Sequence, residues 1–352
     1  MLPVSHPLRA VSGSTAGSVF VRAVRGERAA TTPVWFPQLA SPVLSAQRAA
    51  LDGVDAFDAG GDPERVAELT VGVAELLDVD AVALVGDPLA PARLAGVRVQ
   101  AGPAGAGVVT EPVRTASEVL RLRPVDPDAL APLAEAVRLS AARLGATPLV
   151  AVGAAPFALA ALLSGDASAD RLDARALMYR DPHTWAALLN WCADVTGAFL
   201  RVAVEAGASV AALADVGIGA LSRRDYQRRV APHSRRALDA LRGLDVPMLH
   251  LGEGTAEVLD LVHGLGVDAV EADRRVPLDE ASARLGGGVP LLGNLDPALL
   301  LAGSRVLRAH IDDVLDRGLA APAHLVTVGG ALPAGVDTAV VAGIVEAVHE
   351  RR

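Results

Sequence analysis

The sequence predicts an α/β fold of the (β/α)8 TIM-barrel class, and three observations carry that prediction. Short apolar, β-rich runs alternate with longer stretches of helical periodicity, the pattern of βα units around a parallel sheet. Eight such runs can be counted, the number that closes a barrel. The 352 residues suit one large barrel domain, and a composition 51% hydrophobic and 21% charged fills a core and argues against disorder.

In chain order, residues 1–18 are rich in Ser and Gly and are expected to be loosely held, leaving 19–352 as a single barrel domain. The eight expected strands are TPVWFPQLA (32–40), DAVALVGD (80–87), PLVAVGAAP (148–156), ASVAALAD (208–215), VPMLHLGEG (246–254), VDAVEAD (267–273), VPLLGNLDP (289–297) and HLVTVGGALP (324–333). Between them lie helices with recognisable starts. Asp62 followed by Pro63, and Asp181 followed by Pro182, place a side-chain cap before a proline at the first helical position. The helix from Pro182 ends near Gly207, which can adopt a left-handed conformation. Residues 88–147 exceed what one βα link needs, and their Gly-rich part, 99–115, is expected to pass over the barrel mouth.

Composition also narrows function. A net charge of −9 without a basic run argues against nucleic acid, while an acidic small substrate is still compatible with a local basic pocket. All 32 basic residues are Arg, so a Schiff-base lysine and a phosphate-loop lysine are both excluded. The one cysteine, Cys192, permits neither a disulfide framework nor a Cys-rich zinc site and fits a reducing compartment. The longest apolar runs, such as 149–163, carry Gly and Pro and fall short of a membrane span. The N-terminus lacks a basic region followed by an apolar one. The expectation is a cytoplasmic protein with no membrane partner.

Barrel sites assemble at the C-terminal ends of the strands. Those positions hold Gln38, Asp87, Asp215, His250, Glu253, Asp273, Asn294 and Asp296, then Gly329 and Gly330. Each has an architectural alternative. Asp87 reads as a ligand-binding carboxylate or as a cap on the following loop, and Asp215 faces the same choice. Asp273, followed by Arg274 and Arg275, reads first as an ion pair. His250 is either an inward-facing acid–base group or a hydrogen-bonded core histidine. Asp296 before Pro297 reads as a helix start, and Asn294 as a strand-end polar group or a structural one.

Six stretches, RAVRGERAATTPVWF (22–36), EPVRT (111–115), AAPFALA (154–160), ALMYRDPHTWAALL (176–189), GALSRRDYQRRVAPHS (219–234) and GNLDPALLLAG (293–303), resemble the uroporphyrinogen decarboxylase family in its actinobacterial form. The likeness runs over nearly the whole chain in the right order. It implies a (β/α)8 barrel, commonly a homodimer, that removes acetate carboxylates from a tetrapyrrole without metal or organic cofactor. It also implies that Asp87 gathers the pyrrole N–H groups. Elsewhere the site pattern departs: Gln38 and Pro42 stand at two arginine positions, Leu162 at a tyrosine, Val216 at a serine and Gly330 at a histidine. Asp87 is therefore the expected catalytic residue, with Trp35, Gln38, Asp215, His250, Asp273, Arg274 and Asn294 as substrate-binding candidates. Arg274 is the candidate substitute for a lost arginine. The expected activity is carboxy-lyase chemistry, altered or reduced. The alternative is a non-catalytic relative that binds a tetrapyrrole or pairs with an active homologue as a heteromer. The related corrinoid-dependent methyltransferases need zinc-binding cysteines that HLG (250–252) and VGGA (328–331) lack.

Overall fold

A computed structural model of the protein describes residues 15–40, 47, 61–102, 107–333 and 335–351. Seven parallel strands form one curled sheet: β1 (Val82–Ala83), β4 (Leu149–Ala154), β5 (Val210–Ala214), β6 (Met248–Leu251), β7 (Ala269–Glu271), β8 (Leu291–Leu292) and β9 (His324–Leu325), adjacent in that order. A separate antiparallel hairpin, β2 (Val99–Ala101) with β3 (Gly107–Val109), interrupts the chain between β1 and β4. This hairpin is the Gly-rich excursion expected from the sequence.

The first expected strand, 32–40, is not an extended strand. It contributes one parallel bridge, Val34 to Val326, and then a 3-10 turn over Pro37–Ala40. Pro33 and Pro37 supply no ladder N–H, and this limits the pairing. Even so, Val34 reaches both ends of the sheet. Trp35 N donates to Val326 O at 3.0 Å on one side, and Asp80 N donates to Val34 O at 3.0 Å on the other.

Alternation along the strands sorts side chains into two layers. Ala83, Val150, Val210, Ala212, Leu249, Leu251, Ala269, Leu292 and Leu325 share one cluster with Phe20 and Trp35 on the inner face. Their neighbours Val82, Leu149, Ala211, Leu213, Val270 and Leu291 belong to the larger cluster between sheet and helices. Helix α1 (Val19–Val24), capped by Ser18, buries Phe20, Val21, Ala23 and Val24 and plugs the inner face. The Phe20 and Trp35 rings meet edge to face at 5.4 Å between centroids.

The outer layer holds α2 (Pro63–Leu77), α3 (Ala90–Leu94), α4 (Ala116–Val119), α5 (Ala131–Leu144), α6 (Pro156–Leu163), α7 (Leu172–Arg180) and α8 (Pro182–Glu205). It continues with α9 (Arg223–Arg229), α10 (Ala231–Asp239), α11 (Leu259–His263), α12 (Leu278–Arg284), α13 (Ser304–Gly318) and α14 (Thr338–His349). The expected caps form. Asp62 accepts from Glu64 N at 3.0 Å, and Asp181 accepts from Thr184 N at 3.0 Å. By length and composition α8, at 24 residues, could cross a membrane. It instead buries Trp185, Leu188, Leu189, Cys192, Phe199 and Leu200 and turns Asn190, Asp194 and Arg201 outward, as a core helix does.

Candidate functional site

A cavity of about 590 Å³ opens beyond the C-terminal ends of β1, β4 and β5. Its wall is built from Val152 and Ala154 of β4, Ala214 of β5, Val216 just past it, the loop 84–88, Gln38 on the 3-10 turn, and Leu162 of α6. Among the described lining residues only Gln38, Asp87, Arg93 and Arg171 carry polar side chains. A pocket of this size, mostly apolar with a few polar groups, suits a small organic ligand. Gln38, Asp87, Leu162 and Val216, four positions matched by resemblance to site residues, line this one cavity, whereas Pro42 lies outside the described residues.

Asp87 is half-buried where β1 runs into α3. Its Oδ1 accepts from Leu89 N at 2.6 Å, and its Oδ2 accepts from Gly107 N at the hairpin tip at 2.7 Å. The carboxylate thus lines the cavity and also caps the loop. Each oxygen retains a free lone pair for a ligand donor. Gln38 Nε2 donates to Val328 O at 2.6 Å and Gly330 O at 2.7 Å, which ties the 3-10 turn to the segment that follows β9.

Arg171, at the start of α7, also lines the cavity and was not anticipated. It is 8% exposed, its Nη1 donates to Asp166 O at 2.6 Å, and its Nε is buried without a partner. Burial holds its pKa below the ordinary guanidinium value, with Asp166 opposing. Its only sequence signal is an arginine after a Ser- and Asp-rich turn, which no periodicity marks.

The remaining candidates sit elsewhere. Trp35 is 1% exposed in the inner-face core beneath the cavity and does not line it. His250 lies between the inner-facing Leu249 and Leu251 and pairs with Leu213 and Val270, so it points to the helix layer. It is a core histidine but not a hydrogen-bonded one. Asp215, past the outward Leu213, faces it with 3.6 Å between His250 Nε2 and Asp215 Oδ2, too long for a hydrogen bond. Both side chains are fully buried and unpartnered, as is the Tyr226 hydroxyl. Burial raises the pKa of Asp215, and burial together with the Asp215 charge raises that of Tyr226.

Asp273 is an architectural anchor, accepting from Arg275 N and Nε at 2.9 Å each and from Nη2 at 2.6 Å. Asn294 is also structural: its Nδ2 donates to Asp273 O at 3.0 Å and Val276 O at 2.7 Å. Arg274 pairs with Glu253 and lies 3.8 Å from Asp296, outside the cavity. A Cβ at Gly329 would fall 3.0 Å from Arg274 Cβ, and one at Gly330 would fall 3.4 Å from Arg274 Nη1. Past β9, Gly329 therefore makes room for Arg274, while Gly330 meets it only at ordinary contact distance.

Glu271 is a second residue the sequence did not single out. It shares the inner face with Ala269, accepts from Gly252 N at 2.8 Å, and is pushed up to about 8 by burial. Among the described residues no three His, Cys, Asp or Glu side chains come together as a metal site.

The family model described as "Uroporphyrinogen decarboxylase (URO-D)" matches residues 15–351. A uroporphyrinogen decarboxylase from Arthrobacter sp. (strain FB24) is 44% identical, the alignment covering 96% of this chain and 99% of the relative. One from Leifsonia xyli subsp. xyli is also 44% identical, over 99% of this chain and 98% of the relative. One from Streptomyces coelicolor is 40% identical, over 96% and 95%. A solved methyltransferase from Methanosarcina mazei superposes with a TM-score of 0.79 over 96% of this chain and 99% of its own, at 19% identity, a likeness of fold alone. With a cavity at the strand ends, Asp87 in its wall and a family match over nearly its full length, this chain belongs to the uroporphyrinogen decarboxylase family.

Proposed function

We propose that this protein is a cytoplasmic, homodimeric carboxy-lyase that acts on a carboxylated porphyrinogen. In this reading its sheet is completed to a closed (β/α)8 barrel by the segment around Val34. The supporting observation is that, in a chain of this family, Gln38, Asp87, Leu162 and Val216 converge on one cavity. Asp87 is the only anionic side chain among the described lining residues, and its spare lone pairs can gather pyrrole N–H groups. Each turnover breaks the C–C bond to a carboxylate and releases CO₂. The electron pair passes into a pyrrole ring protonated on carbon; a second proton completes the methyl group as the ring gives up the first, so the acetate arm plus one net proton becomes a methyl arm plus CO₂. Asp87 lowers the energy of the cationic ring electrostatically.

Leu162, Val216 and Gly330 stand where the family likeness implies polar groups, so the expected rate is well below that of the 44%-identical relatives. The engagement of both Asp87 oxygens by Leu89 N and Gly107 N favours one second reading, a barrel that binds the tetrapyrrole without turning it over. Anaerobic assay of CO₂ release from uroporphyrinogen, with porphyrin binding measured in parallel, separates the two. The expected outcome is slow release that falls roughly 100-fold or more in Asp87→Ala. Binding without any release selects the second reading, and a rate indifferent to Asp87→Ala overturns the assigned role.

A further inference from the structure

We infer that Arg171 binds a carboxylate of the ligand in the cavity, an assignment that rests on the carboxylated-porphyrinogen reading above. The side chain is 8% exposed and lines the cavity, yet only its Nη1 donation to Asp166 O is satisfied by a specific protein acceptor. The Nε–H is buried with no partner. Buried donors are nearly always paired; Nε packs against Gly217, whereas Nη2 is neither sealed off nor bonded to any described residue, so it is the donor left for an acceptor that arrives with the ligand.

The adjacent acid does not fill that role. Asp166 spends its carboxylate on its own turn, accepting from Ser168 N at 3.0 Å, from Ser168 Oγ, and from Ala174 N at 3.1 Å. Among the described residues Arg171 makes no ion pair, whereas Arg275 and Arg223 each hold a carboxylate through two nitrogens. Its charge is therefore available on the cavity side.

Two backbone features fit the loop around this side chain. Arg171 sits at φ 50° and ψ 44°, a left-handed conformation that glycine takes without strain and arginine does not. Opposite it, a Cβ at Gly217 would lie 2.8 Å from Arg171 Nε, so the strand-end loop after β5 leaves space for the guanidinium. Val216, the residue before Gly217, lines the same cavity. A fixed planar fork in a mostly apolar wall matches a carboxylate better than water does. Asp87 in the same cavity takes N–H donors, so the ligand that fits both has N–H groups at its centre and carboxylates at its edge.

The test is titration of the purified full-length protein with uroporphyrin I, followed by quenching of tryptophan fluorescence. Arg171→Gly removes the guanidinium and relaxes the backbone at φ 50°. It is expected to fold at least as stably as the parent but to bind roughly 10- to 100-fold more weakly. Its affinity should also lose much of the parent's dependence on salt concentration. Arg171→Gln keeps a donor for Asp166 O and decides by the same criterion if the glycine variant does not fold. A folded variant with parental affinity and parental salt dependence overturns the assignment and leaves the family reading standing. A parent that binds no carboxylated porphyrin overturns both.

Discussion

Glu271 shows what a single buried acid does to this protein. Its carboxyl has one backbone donor, Gly252 N, and burial with the nearby charges of Glu253 and Asp273 raises it from 4.5 to about 8. Between those values the folded chain keeps a proton that the unfolded chain releases. The associated stability is fully present below about pH 4.5 and is lost as pH rises towards 8, by on the order of 4 kcal/mol if the group stays dry. Glu271→Gln preserves an acceptor for Gly252 N without the ionisation. Urea unfolding of both proteins at pH 5 and pH 8.5 should show the parent losing markedly more stability across that range than the variant, which keeps the smaller contributions of groups such as His349. Equal slopes would mean that Glu271 does not set the pH dependence. Asp215, with His250 and Tyr226, repeats the theme without any hydrogen bond at all.

At the scale of elements, α14 is joined to the start of the sheet through one carboxylate. Asp80 Oδ2 accepts from Val34 N at 2.7 Å and from His349 Nε2 at 2.9 Å. The hydrogen bond to Asp80 raises the His349 pKa above 6.5 despite partial burial. Its stabilisation is thus complete below pH 6.5 and fades as pH climbs through the raised value. The side chain is 27% exposed, so solvent screening limits the effect to about 1 kcal/mol or less. Thermal melts at pH 5.5 and 8.5 should show His349→Leu costing more at the lower pH. A cost independent of pH would assign the loss to packing.

The elements also show what a sequence discloses and what it withholds. Asp62, Asp181 and Asp296 announce helix starts because a capping acid before proline is a local device, and all three accept the expected backbone N–H. Seven of the eight expected strands occur as parallel strands, shorter than expected, because hydrophobic runs mark burial and not pairing. The strand face is harder to read, since a shift of one residue reverses it. That is why His250 and Asp215, taken for rim residues, belong to the helix layer, and why Asp273 and Asn294 are spent on backbone and ion-pair contacts. Arg171 reaches the cavity from a loop through a left-handed backbone, which no periodic pattern encodes.

On the whole-molecule scale, the inner face divides into an apolar floor and a cavity. The floor is sealed by α1, whose Phe20 packs on Trp35, while polar cavity-lining side chains gather beyond the strand ends. Truncating the plug should therefore weaken the entire sheet. Phe20→Ala is expected to cost about 3–5 kcal/mol in one cooperative urea transition, seen alike by circular dichroism and tryptophan fluorescence. Two separated transitions would show that α1 unfolds independently of the sheet.

The glycine pair beside Arg274 bears on how such a site could be rebuilt. Gly330 sits at φ 121°, and a Cβ there would be in ordinary contact with Arg274 Nη1 at 3.4 Å and the Glu253 carboxyl at 3.5 Å. Grafting a histidine onto position 330 strains a backbone suited to glycine, and the ring beyond Cβ has to share space with the Arg274–Glu253 pair. Removing Arg274 eases the crowding and leaves the backbone as it is. A histidine at this position therefore carries the backbone cost in either order of replacement, with Arg274 kept or removed.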